Sequence, residues 1–402
     1  MKPVYIVSWL FALAISFVSC DDWLDKTPKD RLYPDVYFKT EDELRLFTNQ
    51  FYNNLVPSAV DIYSESSDLI VKSDLMLEMS GQRIIPDEGN GWNFTALRDI
   101  NFYLQYSHNC TEVNARNRYD GVARFFRAYF YFEKVKRYGD IPWYDKALDS
   151  DDPELYKARD SREFVMQKML EDLDFAIANL PKTKNAYVLT RWTALALKSR
   201  VCLFEGTFRK YHGLEDCEKY LNACVSASET FMNESGYTLY KSGSTPYRDL
   251  FASINLQADE VIFGRDYEAS LSVLHNVQNY ENSTTMGRPG MNKKIVNSYL
   301  MADGSRFTDK AGYETMTFDQ ECQNRDPRLA QTIRTPGYTR IGSTKKEAPN
   351  LAYTMTGYHL IKYSMTANYD EYNKSCNDIP LFRTAEVYLN FAEAKAELGT
   401  LK

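Results

Sequence analysis

The run DGVARFFRAYFYFEKVKRYGDIPW, residues 120–143, limits the fold more than any other stretch. Val122, Phe125, Phe126, Tyr129 and Phe130 recur at three- and four-residue intervals, which puts them on one stripe of an α-helix. Gly139 and Pro142 supply the stop. The pattern then repeats. DSREFVMQKMLEDLDFAIANLP starts at Ser161, a residue suited to a helix N-cap, and ends before Pro181, with Val165, Met169, Leu173, Ala176 and Leu180 in register. LTRWTALALKSRVCLFEG runs from Thr190 to a predicted stop at Gly206. EDCEKYLNACVSASETFMN carries Leu221, Cys224, Val225 and Ser228 on one face.

The predicted helices fall into two pairs, about 121–138 with 162–180 and about 190–205 with 215–232. Ala128, Ala176, Ala194, Ala196, Ala223 and Ala227 sit where helices can approach closely. Paired helices with small contact residues resemble tetratricopeptide repeats. The insertion between 139 and 161 breaks the usual repeat length, so a generic helical bundle is the alternative. TEDELRLFTNQFYNNL adds a helix opened by Thr40 and Glu43 at capping-box spacing, followed by Leu44, Phe47, Phe51 and Leu55. RTAEVYLNFAEAKAELG reads as a last helix that stops at Gly399. Between 233 and 380 Gly, Pro, Ser, Thr and Asn become frequent and helical periodicity fades. DEVIFGRDY and GYHLIKY there read as short strands, and the remainder as ordered binding loops.

At the other end, Lys2 is the only charge before Cys20. Leu10 to Val18 form an apolar core too short to span a bilayer, the layout of a secretory signal peptide over 1–19. Ser19–Cys20 fits the cleavage box of a bacterial lipoprotein. Cleavage there makes Cys20 the first mature residue, carrying lipid on its sulfur and amine. Asp21, Asp22 and Asp25 then read as a surface-export signal or as a solvated leader.

Composition excludes several functions. A net charge of −7, or −8 once Lys2 leaves (−7 − 1), argues against nucleic-acid binding, which needs a basic face. Only 4 His make a histidine-based catalytic or metal site improbable, whereas 30 Tyr point to broad amphipathic contact surfaces. Cys110, Cys202, Cys217, Cys224, Cys322 and Cys376 form no C-x-x-C pair, so no zinc or redox motif is expected. Cys217 and Cys224, on one helix face, read as core thiols.

Six blocks together resemble the SusD/RagB family of nutrient-binding outer-membrane lipoproteins: the Cys20 box with WLDKTP behind it, FFRAYFYFEKVKRYGDIPW at 125–143, LTRWTALALKSRVCLFEGTFRKYH at 189–212, DEVIF at 259–263, DPRL at 326–329 and PLFRTAEVYLNFAEAKAELG at 380–399. They occur in family order over nearly all of 20–402. The resemblance implies a mainly α, SusD-like domain over 20–402, with a helical scaffold at 40–232 and 380–399 and an irregular ligand side at about 233–380. It implies a lipid-anchored protein facing the cell exterior that binds oligosaccharides, or peptides in RagB-like relatives, and delivers them to a SusC-like TonB-dependent transporter. It implies no enzyme activity, no catalytic residue, no metal and no cofactor. The family continues beyond AEAKAELG, so a truncated C-terminus is expected, with Val387, Tyr388, Phe391 and Leu398 lacking a hairpin partner.

Ligand residues vary too much among relatives to transfer by motif, so they are sought by chemistry. Sugars present apolar C–H faces and many hydroxyls, and are held by an exposed aromatic ring flanked by polar side chains. PDEGNGWNF at 86–94 has that form, with Trp92 beside Asn90 and Asn93. The loop 265–290 offers Tyr267, His275, Asn279, Tyr280, Asn282 and Arg288. The competing reading packs Trp92 inward and leaves the second set as scattered surface residues. Trp143 and Trp192 lie inside the scaffold blocks and read as structural. Asn282–Ser283–Thr284 also matches a glycosylation acceptor, a pattern of little specificity. A surface glycoside hydrolase is the rival from another class, but no motif singles out a carboxylate pair.

Overall fold

The computed structural model describes residues 36–62, 69–86, 89 and 91–401. Cys20, Asn90 and the predicted signal peptide lie outside those residues. The scaffold consists of α1 (Glu41–Leu55), α2 (Thr95–Tyr106), α3 (Val113–Tyr138), α4 (Arg162–Asn179), α5 (Arg191–Tyr211), α6 (Cys217–Glu234) and α7 (Thr384–Glu397). Their ends follow the local chemistry. Thr40 accepts from Glu43 N while the Glu43 carboxylate accepts from Thr40 N, closing the expected capping box. Ser161 accepts from Phe164 N and opens α4. Gly139 and Gly399 end α3 and α7 at φ of 70° and 69°, the left-handed region.

The two predicted pairs exist. α3 lies along α4 and α5 along α6, with α4 also touching α5. Ala128, Ala176, Ala194, Ala196 and Ala227 are buried in these contacts. One expected stop was wrong. α5 runs through Gly206 to Tyr211. A Cβ at Gly206 would stand 2.7 Å from Leu221 Cγ and 3.1 Å from Leu221 N. Gly206 is therefore where α5 and α6 touch, and its missing side chain sets their separation. Glu205, fully buried one residue earlier, accepts from Arg162 of α4 at 2.6 Å and from Arg209 of α5 at 2.7 Å. The three residues tie the hairpins together.

α1 and α2 cover the remaining side of α3. Their interface is an edge-to-face aromatic core, with Phe38–Tyr103 centroids 5.6 Å apart and Phe51–Phe126 6.1 Å apart. Each of these rings is essentially solvent-free. Full burial of such a side chain stabilises by roughly 1.5–3 kcal/mol.

The irregular half has its own core around Phe251, Val261, Tyr363 and Ile379. Four short strands occur among the described residues: β1 (Ile70–Val71), β2 (Val261–Arg265), β3 (Gly290–Met291) and β4 (Ile379–Arg383). β1 pairs with β3 and β2 with β4, both antiparallel. DEVIFGRDY holds β2 as expected. GYHLIKY is not a strand: only His359 and Leu360 make isolated bridges, to Gly290 and Ile333. Its continuous burial comes from packing in the core of a loop, which alternation cannot distinguish from a buried strand. β4 was not expected: it runs directly into the predicted last helix and takes that helix's first residue, Arg383, so the helix begins at Thr384.

α7 lies against α5 and α6, and Arg200 of α5 donates to Glu386 at 2.5 Å. Val387 is buried, Tyr388, Phe391 and Leu398 are half-buried, and Leu389 is exposed. All six described cysteines are free thiols. Cys224 is buried as expected, and burial pushes its thiol up to about 12. Cys217, at the start of α6, is only half-buried. Among the described residues no helix is long and apolar enough to cross a membrane.

Candidate functional site

α3 positions the site. Arg127, fully inside the scaffold, makes a two-pronged bond to Asp172 of α4 at 2.6 and 2.8 Å. Its remaining Nη1 donates to Asn101 Oδ1 of α2 at 3.2 Å. Asn101 in turn donates to Tyr144 O at 2.8 Å. One turn along α3, the Tyr131 hydroxyl accepts from Tyr144 N at 2.6 Å, and its ring stacks on Trp143 at 4.3 Å. Arg127 and Tyr131 therefore clamp the segment after α3 against the bundle. Trp143 and Trp192 are both buried, and Trp192 Nε1 donates to Lys182 O at 2.6 Å, so both are structural as expected.

The clamped segment forms one wall of a cavity of about 550 Å³. Pro142, Tyr144, Lys146 and Leu148 form that wall; Leu155, Lys157, Ala158 and Arg159 form a second. Trp92, Phe94 and the first turn of α2 form the third. The Trp92 turn is built by its neighbours. Gly91 adopts φ of 85°, and a Cβ there would meet Tyr138 Oη at 3.4 Å. Trp92 N donates to Gly89 O at 3.0 Å, and Asn93 Oδ1 accepts from Thr95 N at 2.8 Å to open α2. Lys134 of α3 donates to Gly91 O and fixes the turn to the scaffold.

Trp92 is 40% exposed. Its ring meets Phe94 and Tyr138 edge-on at 5.3 and 4.9 Å, and the Arg159 guanidinium lies 5.0 Å from its centroid. The indole is thus anchored on one side and open to the cavity on the other. Asn93 is exposed beside it, but its carbonyl oxygen is engaged as a cap.

The second predicted set is dispersed. Tyr267 is buried, its hydroxyl accepting from Ala59 N at 2.8 Å and its ring 4.4 Å from His275. Asn282 is buried in an ionic network, accepting from Arg334 at 2.7 Å and Arg340 at 3.0 Å and donating to Ser364 at 3.0 Å. Asn282 is therefore no accessible acceptor for a glycan. Asn279 donates to Asp370 O at 2.7 Å. Arg288 donates to Leu351 O at 2.8 Å. Tyr280 lines a shallow pocket of about 190 Å³ with Tyr267 and His275. Burial drives His275 down to about 4, and its Nδ1 accepts from Val277 N while Nε2 faces Asn377 O, so both ring nitrogens serve the fold.

Sequence reasoning missed Tyr144, Arg98 and Arg159. Tyr144 follows Trp143 directly in the GDIPW block, whose reading as scaffold concealed that its far edge faces the cavity. A more open groove of about 620 Å³, lined by Lys294, Arg306, Thr308 and Tyr313, was also missed. Among the described residues no cluster of His, Cys, Asp or Glu could hold a metal.

The fold is thus a helical-hairpin scaffold bearing an aromatic-walled surface cavity. Two family models match the chain: the SusD family over residues 250–402, and a family described as starch-binding associating with outer membrane over residues 81–191. The second match contains every residue of the Trp92 cavity. The chain is 25% identical to SusD-like protein P2 of Formosa agariphila over 416 residues, covering 96% of this chain and 76% of that one. A SusD-like protein of Bacteroides fragilis NCTC 9343 superposes with a TM-score of 0.73 at 21% identity, covering 94% of this chain and 79% of the other. A structure solved with a xylogluco-oligosaccharide superposes with a TM-score of 0.58 at 17% identity, covering 87% and 70%. The chain belongs to the SusD/RagB family.

Proposed function

We propose that this protein captures oligosaccharides in the Trp92 cavity and passes them to a SusC-like TonB-dependent transporter, while a lipid on Cys20 holds it at the outer face of the outer membrane. The observation that carries the reading is Trp92. It is a half-exposed indole, anchored edge-on to a rigid helix, over a cavity with amide, hydroxyl and guanidinium groups within reach. That is the arrangement a pyranose requires: an apolar ring face stacks on the indole and the hydroxyls find donors at its rim. The match of this segment to a starch-binding family, and the oligosaccharide held by a structural relative, support a glycan ligand. The described cavity lining contains no carboxylate, so no acid–base pair faces a sugar there, which favours capture over hydrolysis.

A glycan array followed by chromatography of the bound sugars tests this reading. Retention of intact oligosaccharides is expected; released hydrolysis products would refute it. Anchoring is tested separately. Cys20→Ala is expected to move the protein out of the membrane fraction or block its processing, because stable attachment needs the acyl chains that a lipidated cysteine carries. Unchanged lipid labelling of that variant would exclude Cys20.

A further inference from the structure

The Trp92 cavity has an unusual charge. Its described lining contains Arg98, Lys146, Lys157 and Arg159 and no carboxylate, on a chain whose net charge is −7. Two of the four cations are neutralised from outside the lining. Lys146 pairs with Glu154 at 2.8 Å and Asp152 at 3.6 Å, and Lys157 with Asp160 at 2.9 Å. The other two are not. Arg98 donates only through Nε, to Leu148 O at 3.3 Å, leaving its terminal nitrogens without a protein acceptor among the described residues. Arg159 lies over the Trp92 ring and has no carboxylate within ion-pair distance among the described residues. Stacking occupies the face of a guanidinium and leaves its N–H edge free, and that edge matches the two oxygens of a carboxylate or sulfate. Low-dielectric cavity walls concentrate the field of such unpaired charges.

We infer that the glycan this cavity selects is anionic, a uronate or a sulfated sugar, with Trp92 stacking on the ring and Arg98 and Arg159 holding its charged substituent. The inference rests on the glycan-capture reading of the same site. The arginines are specificity residues: they add a charged contact to a platform that would otherwise accept neutral sugars.

Calorimetry of the lipid-free protein with two matched pairs of probes tests it. One pair is a tetragalacturonate and its fully methyl-esterified form; the other is a sulfated galactan oligosaccharide and its desulfated form. In at least one pair the charged member is expected to bind roughly tenfold tighter or better. That preference is expected to collapse at high salt, which screens partly exposed charges, and in the double variant Arg98→Gln/Arg159→Gln. Trp92→Ala is expected to weaken the charged and neutral members alike. Which pair shows the preference distinguishes carboxylate from sulfate. Equal binding within both pairs, or a preference that survives in the arginine double variant, overturns the inference. If the charged and neutral members bind equally and Trp92→Ala abolishes the binding of both, capture stands and the anionic assignment falls. If the folded protein binds no glycan of either charge, the capture reading falls and takes this inference with it.

Discussion

At the scale of single residues, the molecule separates two roles that glycine and tryptophan play. Gly206 is a packing residue: its α-hydrogens face Leu221 where α5 and α6 meet. Gly206→Ala puts a methyl group 2.7 Å from Leu221 Cγ, with the Leu221 backbone nitrogen close behind, so the helices must part. Overpacking of this kind costs about 1–3 kcal/mol, and a denaturant midpoint lowered in proportion is expected. An unchanged midpoint would show that the hairpin is looser than described. Trp92 is the opposite case. At 40% exposure its removal forfeits only part of an indole's burial, so Trp92→Ala is expected to fold cooperatively with a small loss in melting temperature. A large loss would make Trp92 part of the core. The partial exposure of Trp92 was legible because Gly91 and the polar Asn93 beside it mark a surface turn. The dispersal of Tyr267 and Asn282 was not, because their burial is decided by Ala59, Arg334 and Arg340, residues 52 to 208 positions away.

At the scale of elements, the pocket is an extension of α3. Arg127 connects α4, α2 and the 142–148 wall through Asp172, Asn101 and Tyr144. Because the pair is buried, removing one partner leaves an uncompensated charge. Arg127→Ala or Asp172→Ala is expected to cost about 3–5 kcal/mol, and the double replacement Arg127→Met/Asp172→Leu considerably less. Equilibrium unfolding of the three variants checks this; single variants as stable as the double would contradict it. The double variant also lacks the bond to Asn101, so its wall is expected to loosen and glycan binding to weaken even where stability recovers. The helices themselves were legible in 3.6-residue periodicity and capping chemistry. Their extents were not always so: α3 begins at Val113, before the apolar stripe starts, and only Ala115 and Tyr119 are buried in its first turns. β4 was illegible because five residues leading straight into a helix give period-2 alternation no room.

At the scale of the whole molecule, the two halves differ in what holds them. The helical half combines aromatic packing with buried ion pairs, and the irregular half adds to its apolar core a polar network that includes two buried histidines. His275 and His359 are buried neutral, held down to about 4 and about 3 by desolvation, with Arg334 and Arg340 adding to the effect at His359. In each ring Nε2 meets a backbone carbonyl and Nδ1 accepts a backbone N–H, so neither can take a proton without losing a bond. The unfolded chain protonates these rings near the ordinary value of 6.5 and the folded one does not, so their contribution is lost as pH falls from about 6.5 toward 4. Asp378 runs the other way. Burial raises it to about 6, so its unfavourable contribution is relieved as pH falls from 6 toward 3.8. Two histidines outweigh one aspartate, and stability is expected to decline between pH 6.5 and 4. Asp378→Asn should steepen that decline, as followed by denaturant midpoints across the range; a flat profile in both proteins would refute the assignment.

The central claim is that Trp92 forms the stacking wall of a glycan-capture site. Its most direct test is calorimetric titration of the lipid-free protein and of Trp92→Ala with the oligosaccharide that gives the strongest array signal. Stacking and burial of an indole predict a loss of about tenfold or more in affinity, about 1.4 kcal/mol, with the melting profile nearly preserved. Equal affinity in the two proteins would place the ligand elsewhere, at the 294–313 groove or the Tyr280 pocket, and contradict the account.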